Sequence, residues 1–124
     1  MKIEMKKILI VDDEPNIVMS LEYTFKKNNF EVFIARDGQE ALDILKNALP
    51  DVVILDVMMP NVDGYNTLEQ IKNDNRLKDL KVIFLSAKNK EKDIEIGLSL
   101  GADLYVTKPF SVKKLLEQVN DLIK

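Results

Sequence analysis

The chain has 124 residues, enough for one compact domain that buries roughly two-thirds of its unfolded surface, and residues 1–124 read as a single domain. It is 46% hydrophobic and 31% charged with a formal net charge of -3, which excludes a disordered or fibrous chain. It also lacks a basic stretch dense enough to follow a phosphate backbone, so direct nucleic-acid binding is not expected. Neither cysteine nor histidine occurs, which rules out disulfides, thiolate metal sites, cysteine nucleophiles and histidine-dependent hydrolase triads. Chemistry must therefore rest on carboxylates, hydroxyls, lysines or a metal.

In chain order, Met1 to Lys7 alternates charged and apolar residues. No apolar run approaches the roughly 20 residues needed to cross a bilayer, so a cytoplasmic chain with no membrane partner is expected. Ile8 to Val11 is a strand-length run rich in β-branched residues. Pro15 then suits a first helical turn, and Ile17, Leu21 and Phe25 repeat at four residues. The more mixed run Val32 to Ala35 reads as a second strand. Asp37 and Glu40 form a cap ahead of a helix carrying Ala41, Ile44, Leu45 and Ala48.

Val52 to Leu55 is a third strand, and Leu68 and Ile71 mark a helix after Gly64. Val82 to Leu85 is a fourth strand. Ile94 and Leu98 mark the following helix, which ends near Gly101, where a left-handed cap favours glycine. Leu104 to Val106 is a short fifth strand. The last helix runs from Ser111 through Val112, Leu115, Leu116, Val119, Leu122 and Ile123, the clearest apolar stripe in the chain. The first, third and fourth strand runs are continuous rather than alternating, so both of their faces should be buried. Five strand–helix units in series with no long linker predict an α/β fold, a parallel sheet with helices on both faces and right-handed crossovers.

Ligands of such sheets bind outside the carboxyl ends of the strands. The residues there are Asp12, Asp13 and Glu14 after the first run, Asp56 after the third, Ser86 after the fourth, and Thr107 and Lys108 after the fifth. Three aspartates on one edge repel one another unless a cation lies among them. Oxygen ligands without His or Cys point to Mg2+. A carboxylate beside such an ion can act as nucleophile toward a phosphoryl donor. Lys108 offers a point charge for phosphate oxygens and Ser86 a hydroxyl donor. Taken singly these residues have plainer uses: Asp13 or Glu14 as a helix cap, Asp56 in a turn, Lys108 as a solvated charge. Jointly, with each polar group directly following its own apolar strand, they argue for a phosphoryl site.

The segments KILIVDDE, DVVILDVMMPNVDG, VIFLSAK and GADLYVTKPF, with the spacing between them, give the chain a resemblance to bacterial response-regulator receiver domains over essentially its whole length. The resemblance implies a flavodoxin-like (βα)5 fold with strand order 2-1-3-4-5. It implies that Asp56 accepts a phosphoryl group from a phosphohistidine donor within a two-component phosphorelay. It implies Mg2+ held directly by Asp13, Asp56 and the Met58 backbone carbonyl, with Asp12 acting mainly through water. It further implies phosphoryl contacts from Ser86 and Lys108, and a cis Lys108–Pro109 bond.

In such domains Ser86 would move toward the phosphoryl group and Tyr105 would turn inward, remodelling the face built by the fourth helix, fifth strand and fifth helix. The plainer reading of Tyr105 is an amphipathic residue half-buried between sheet and helix. Met58 and Lys88 occupy variable positions that tune phosphoryl lifetime, and the Met58 and Met59 side chains read as loop or partial core. Implied partners are a histidine kinase or histidine phosphotransfer protein and a downstream protein or output domain, with homodimerisation on the same face equally open. The chain is expected to be a switch and not an enzyme beyond its own phosphorylation and dephosphorylation.

A flavin carrier of this fold class would need hydroxyls where Asp12, Asp13 and Glu14 stand, and neither GxxxxGK[ST] nor GxGxxG follows a strand. An aspartyl-phosphate phosphatase would carry an acid where Met58 stands. A stand-alone adaptor, slightly favoured, and a receiver excised from a transcription factor, cyclic-dinucleotide enzyme or hybrid kinase both fit the sequence.

Overall fold

The computed structural model describes residues 5–58 and 63–124. Residues 1–4 of the opening segment, and Met59 with its expected loop or core role, lie outside the described residues. Five strands, β1 (Lys6–Val11), β2 (Phe30–Ala35), β3 (Val52–Asp56), β4 (Lys81–Ser86) and β5 (Leu104–Thr107), alternate with five helices. The helices are α1 (Pro15–Lys27), α2 (Gly38–Leu45), α3 (Gly64–Lys72), α4 (Glu91–Ser99) and α5 (Val112–Leu122). All strand pairs are parallel, in the order β2-β1-β3-β4-β5.

The continuous apolar runs have the predicted consequence. Along β1, Ile8 and Ile10 point into one core with Leu21 and Phe25 of α1 and Leu115 and Val119 of α5. Leu9 and Val11 point into the other, with Leu45 of α2 and Leu68 and Ile71 of α3. Both faces of β1, β3 and β4 are thus apolar, because a two-residue period sends neighbouring side chains to opposite cores. Each fully buried Leu, Ile or Phe contributes about 1.5–3 kcal/mol of burial. The edge strand β2 is only half-buried at Val32, Phe33 and Ile34, which accounts for its mixed composition.

Local signals set most element ends. Pro15 opens α1, Asp37 caps α2 by accepting the Glu40 N–H at 2.9 Å, and Ser111 caps α5 by accepting the Lys114 N–H at 3.1 Å. Gly101 takes φ +110 after α4, a conformation other residues rarely adopt. Three expectations need correction. Helix α2 ends at Leu45 instead of reaching Ala48, and the Arg76 guanidinium donates to the Leu45 carbonyl there, a cap from 31 residues away. Neither Asp13 nor Glu14 caps α1 with its side chain; Asp12 accepts the Glu14 N–H at 2.9 Å instead. In α4, Leu98 is 45% exposed and Gly97 is the buried residue, because the helix lies so close to Phe84 and Tyr105 that only a glycine fits beneath it.

Two aspartates fasten the far end of the sheet. Asp51 accepts the Lys7 N–H and Asp103 accepts the Val82 N–H, each at 2.8 Å, satisfying strand donors that would otherwise lack a partner.

Candidate functional site

Register alone brings the acidic residues together. Val11 pairs with Leu55, so Asp12, one residue on, stands level with Asp56 at the end of β3. Asp56 pairs with Leu85, and Ser86 with Thr107, so the last residues of β3, β4 and β5 finish along the same edge. The Lys108 N–H donates to the Ser86 carbonyl at 2.8 Å, which ties the start of the β5–α5 loop to β4. The Lys108–Pro109 peptide is cis, as the resemblance implied.

Asp12, Asp56 and Ser86 are all buried, whereas Asp13 is exposed. One carboxylate oxygen from each of Asp12, Asp13 and Asp56 falls within a sphere of mutual distances under 4.8 Å. Lys108 Nζ bridges this group, 3.1 Å from Asp12 Oδ2, 3.0 Å from Glu14 Oε1 and 3.4 Å from Asp56 Oδ2. The Met58 N–H donates to Asp56 Oδ1 at 3.1 Å, so both Asp56 oxygens have a donor fixing the carboxylate's orientation. Ser86 Oγ accepts the Lys88 N–H at 3.0 Å, which leaves its own hydroxyl proton to donate elsewhere.

The charges are unbalanced: four carboxylates face one ammonium. Burial, and next the neighbouring Asp12 carboxylate, push Asp56 up to about 6, against the opposing Met58 N–H and Lys108. Burial likewise raises Asp12. For Lys108 burial lowers the pKa, but hydrogen bonds to Glu14 and Asp12 and the Asp56 charge more than offset it, so the ammonium is held above its usual range. A buried acid with a raised pKa beside a fixed cation is the kind of arrangement that collects at reactive sites. The all-oxygen cluster also fits a hard divalent cation, which would relieve the repulsion that raises Asp56.

Behind this edge stands an aromatic group. Tyr105 is half-buried, its ring 6.0 Å from that of Phe84, and its hydroxyl donates to the Lys88 carbonyl at 2.9 Å. Lys88 thus gives its N–H to Ser86 and its carbonyl to Tyr105, connecting the acidic edge with the α4–β5 side. The Met58 side chain is exposed. Two participants escaped sequence reasoning. Glu14 as a Lys108 partner was hidden because nothing in spacing says which acid a lysine will reach. Tyr65, edge-on to Phe84, follows Gly64 at the start of α3, and that adjacency was its one legible signal.

The family model for the response regulator receiver domain matches residues 8–120. Among solved structures, the receiver domain of Francisella response regulator 1452 is 36% identical with a TM-score of 0.89, over 95% of this chain and 96% of that one. Chemotaxis protein CheY4 of Vibrio cholerae is 29% identical with a TM-score of 0.90, over 96% of this chain and 99% of that one. The BeF3-activated DrrB receiver domain is 32% identical with a TM-score of 0.88, over 97% of this chain and 98% of that one. With matching strand order, acidic edge and family model, this chain belongs to the response regulator receiver domain family of two-component signalling.

Proposed function

We propose that Asp56 is the phosphoacceptor of this receiver, with Asp13, Asp56 and the Met58 backbone carbonyl holding Mg2+ directly, Asp12 holding it mainly through water, and Ser86 and Lys108 as the phosphoryl contacts. The observation that carries this reading is the Lys108 ammonium bridging two buried carboxylates, Asp12 and Asp56, at the carboxyl edge of the sheet. Bound there, Mg2+ would neutralise carboxylate charge and phosphoryl oxygens together. A carboxylate oxygen of Asp56 attacks the phosphorus of a phosphohistidine on the donor protein. The new P–O bond forms as the P–N bond breaks, and the departing imidazole nitrogen keeps the bonding pair, so the donor histidine leaves as a neutral imidazole whose proton stays on its other ring nitrogen. Lys108 holds the developing negative charge, and Ser86 donates its hydroxyl proton to a phosphoryl oxygen.

The donor class follows from membership: receiver domains work with histidine kinases or histidine phosphotransfer proteins. We infer that output passes through the face of α4, β5 and α5, to a downstream protein, an output domain or a second copy. Ile96 and Leu98 support this, being exposed on α4 on either side of Gly97, the residue that lies against the half-buried Tyr105 ring. No helix among the described residues is long and apolar enough to cross a membrane. In this reading the whole chain is one receiver domain acting as a switch, with Ser86 and Tyr105 relaying the state of Asp56.

Intact mass after incubation with acetyl phosphate and Mg2+ tests the chemistry. One added phosphoryl group is expected, absent from Asp56→Asn and from a chelator control. No adduct together with no response to beryllofluoride would overturn the assignment.

A further inference from the structure

Tyr65 touches two residues that hold the Tyr105 seat, Phe84 and Lys88. Its ring stands edge-on to Phe84, with centroids 5.5 Å apart at 81°, and Phe84 in turn meets Tyr105. Lys88 Nζ lies 5.9 Å over the Tyr65 ring, while the carbonyl of the same lysine accepts the Tyr105 hydroxyl. Through Gly64, whose N–H donates to the Val57 carbonyl, Tyr65 is also anchored next to the segment that carries Asp56.

The Tyr65 hydroxyl, by contrast, is poorly served. It is the buried side-chain polar atom that has no hydrogen-bond partner among the described residues. The Tyr105 hydroxyl is its electrostatic neighbour: burial first, and Tyr105 next, push Tyr65 up to about 12. Yet the two hydroxyls do not meet in hydrogen-bond geometry, and Tyr105 spends its proton on Lys88. A covered hydroxyl without a partner loses its hydration and receives nothing in exchange.

We propose that the Tyr65 hydroxyl opposes the inward seat of Tyr105. With Tyr105 seated on the Lys88 carbonyl, as it is in this structure, that hydroxyl has no partner, so the seat is less populated at rest than a satisfied hydroxyl would allow, and phosphorylation of Asp56 adds the remaining bias. Tyr65 is thus a positioning residue. Its ring shapes the seat and its oxygen sets the resting population. This inference rests on the reading of Tyr105 as the switch.

Tyrosine-selective 13C labelling of the full chain tests it, since the chain has three tyrosines and Tyr65→Phe leaves Tyr23 and Tyr105. Spectra and affinity are followed while Mg2+ and beryllofluoride are titrated in. In Tyr65→Phe, the unphosphorylated protein should show a larger inward population of Tyr105, and beryllofluoride should bind roughly fivefold or more tightly. Unchanged or weaker binding with an unchanged Tyr105 population would overturn the role of Tyr65 while leaving the switch intact. If beryllofluoride bound the wild-type chain without moving the Tyr105 signal, the switch reading would fall and this inference with it.

Discussion

Lys108 reaches across 52 residues of chain to place Nζ 3.4 Å from Asp56 Oδ2, and the same ammonium holds Asp12 at 3.1 Å. One cation therefore restrains two buried carboxylates that would otherwise repel each other, and the stability of the resting protein depends on that balance.

The sign of its pH dependence follows from Asp56. The folded-state pKa, about 6, lies above the ordinary 3.8, so folding favours the protonated acid. This contribution is fully present below pH 3.8 and is lost as pH rises through about 6. Over such an interval it would reach about 3 kcal/mol, but solvent on the open side by Asp13 reduces that to about 1–2 kcal/mol. Metal-free Asp56→Asn should therefore be more stable than wild type at pH 7, by about 1–2 kcal/mol in urea titrations. The gap should close toward pH 4. Mg2+ should raise the Tm of the wild type and leave Asp56→Asn nearly unmoved, and a gap independent of pH would contradict the assignment of the raised pKa.

Removing the cation should have the reverse effect. Lys108→Met leaves Asp12 and Asp56 buried without their ammonium, a type of change that costs about 3–5 kcal/mol when the site is closed and less here because one side is open. A loss of about 2 kcal/mol is expected at pH 7 without metal, shrinking as both acids protonate and partly recovered by Mg2+. Phosphorylation by acetyl phosphate should slow at least tenfold, as expected for losing a fixed charge at the transferring group. Equal rates would remove Lys108 from the phosphoryl site.

Two glycines should fail in different ways. A Cβ on Gly64 would lie 2.4 Å from the Asp56 carbonyl oxygen and 2.7 Å from Val57 Cα, both backbone atoms that cannot turn aside. A Cβ on Gly97 would meet ring atoms of Tyr105 at 2.7 Å and Phe84 at 3.0 Å. Tyr105 is half-buried and can rotate outward, so Gly97→Ala should cost about 1–2 kcal/mol and keep phosphorylation, with Tyr105 driven off the Lys88 carbonyl. Gly64→Ala should cost about 3 kcal/mol or more and lower phosphorylation as well, since it displaces the Asp56 backbone. Thermal melts and acetyl-phosphate rates on the pair separate the two modes; a similar loss of rate in both would show that the Tyr105 seat cannot yield independently.

Much of this protein is legible in short windows. Ile8–Val11, Val52–Leu55 and Val82–Leu85 are apolar at every position, which in a two-residue period demands a helix layer on each face, and such a sheet collects its ligands at the carboxyl edge. Pro15, Asp37, Gly101 and Ser111 mark helix ends because capping is decided within a few residues. Asp12, Asp13, Asp56, Ser86 and Lys108 could be picked out for the same reason, all lying at or just beyond the carboxyl ends of the apolar runs.

Tertiary structure decided what depends on distance across the chain. Which acids Lys108 would bridge, how far Asp56 would be raised, and that α2 would stop at Leu45 under Arg76 are all set by partners 31 or more residues away. The close seat of α4 on Phe84 and Tyr105 turned Gly97 inward and left Leu98 outside, against the periodicity of the helix. Local sequence fixes dihedral preferences and polarity over a few residues, whereas pKa values, helix approach and hydroxyl pairing are properties of the space that distant segments enclose together.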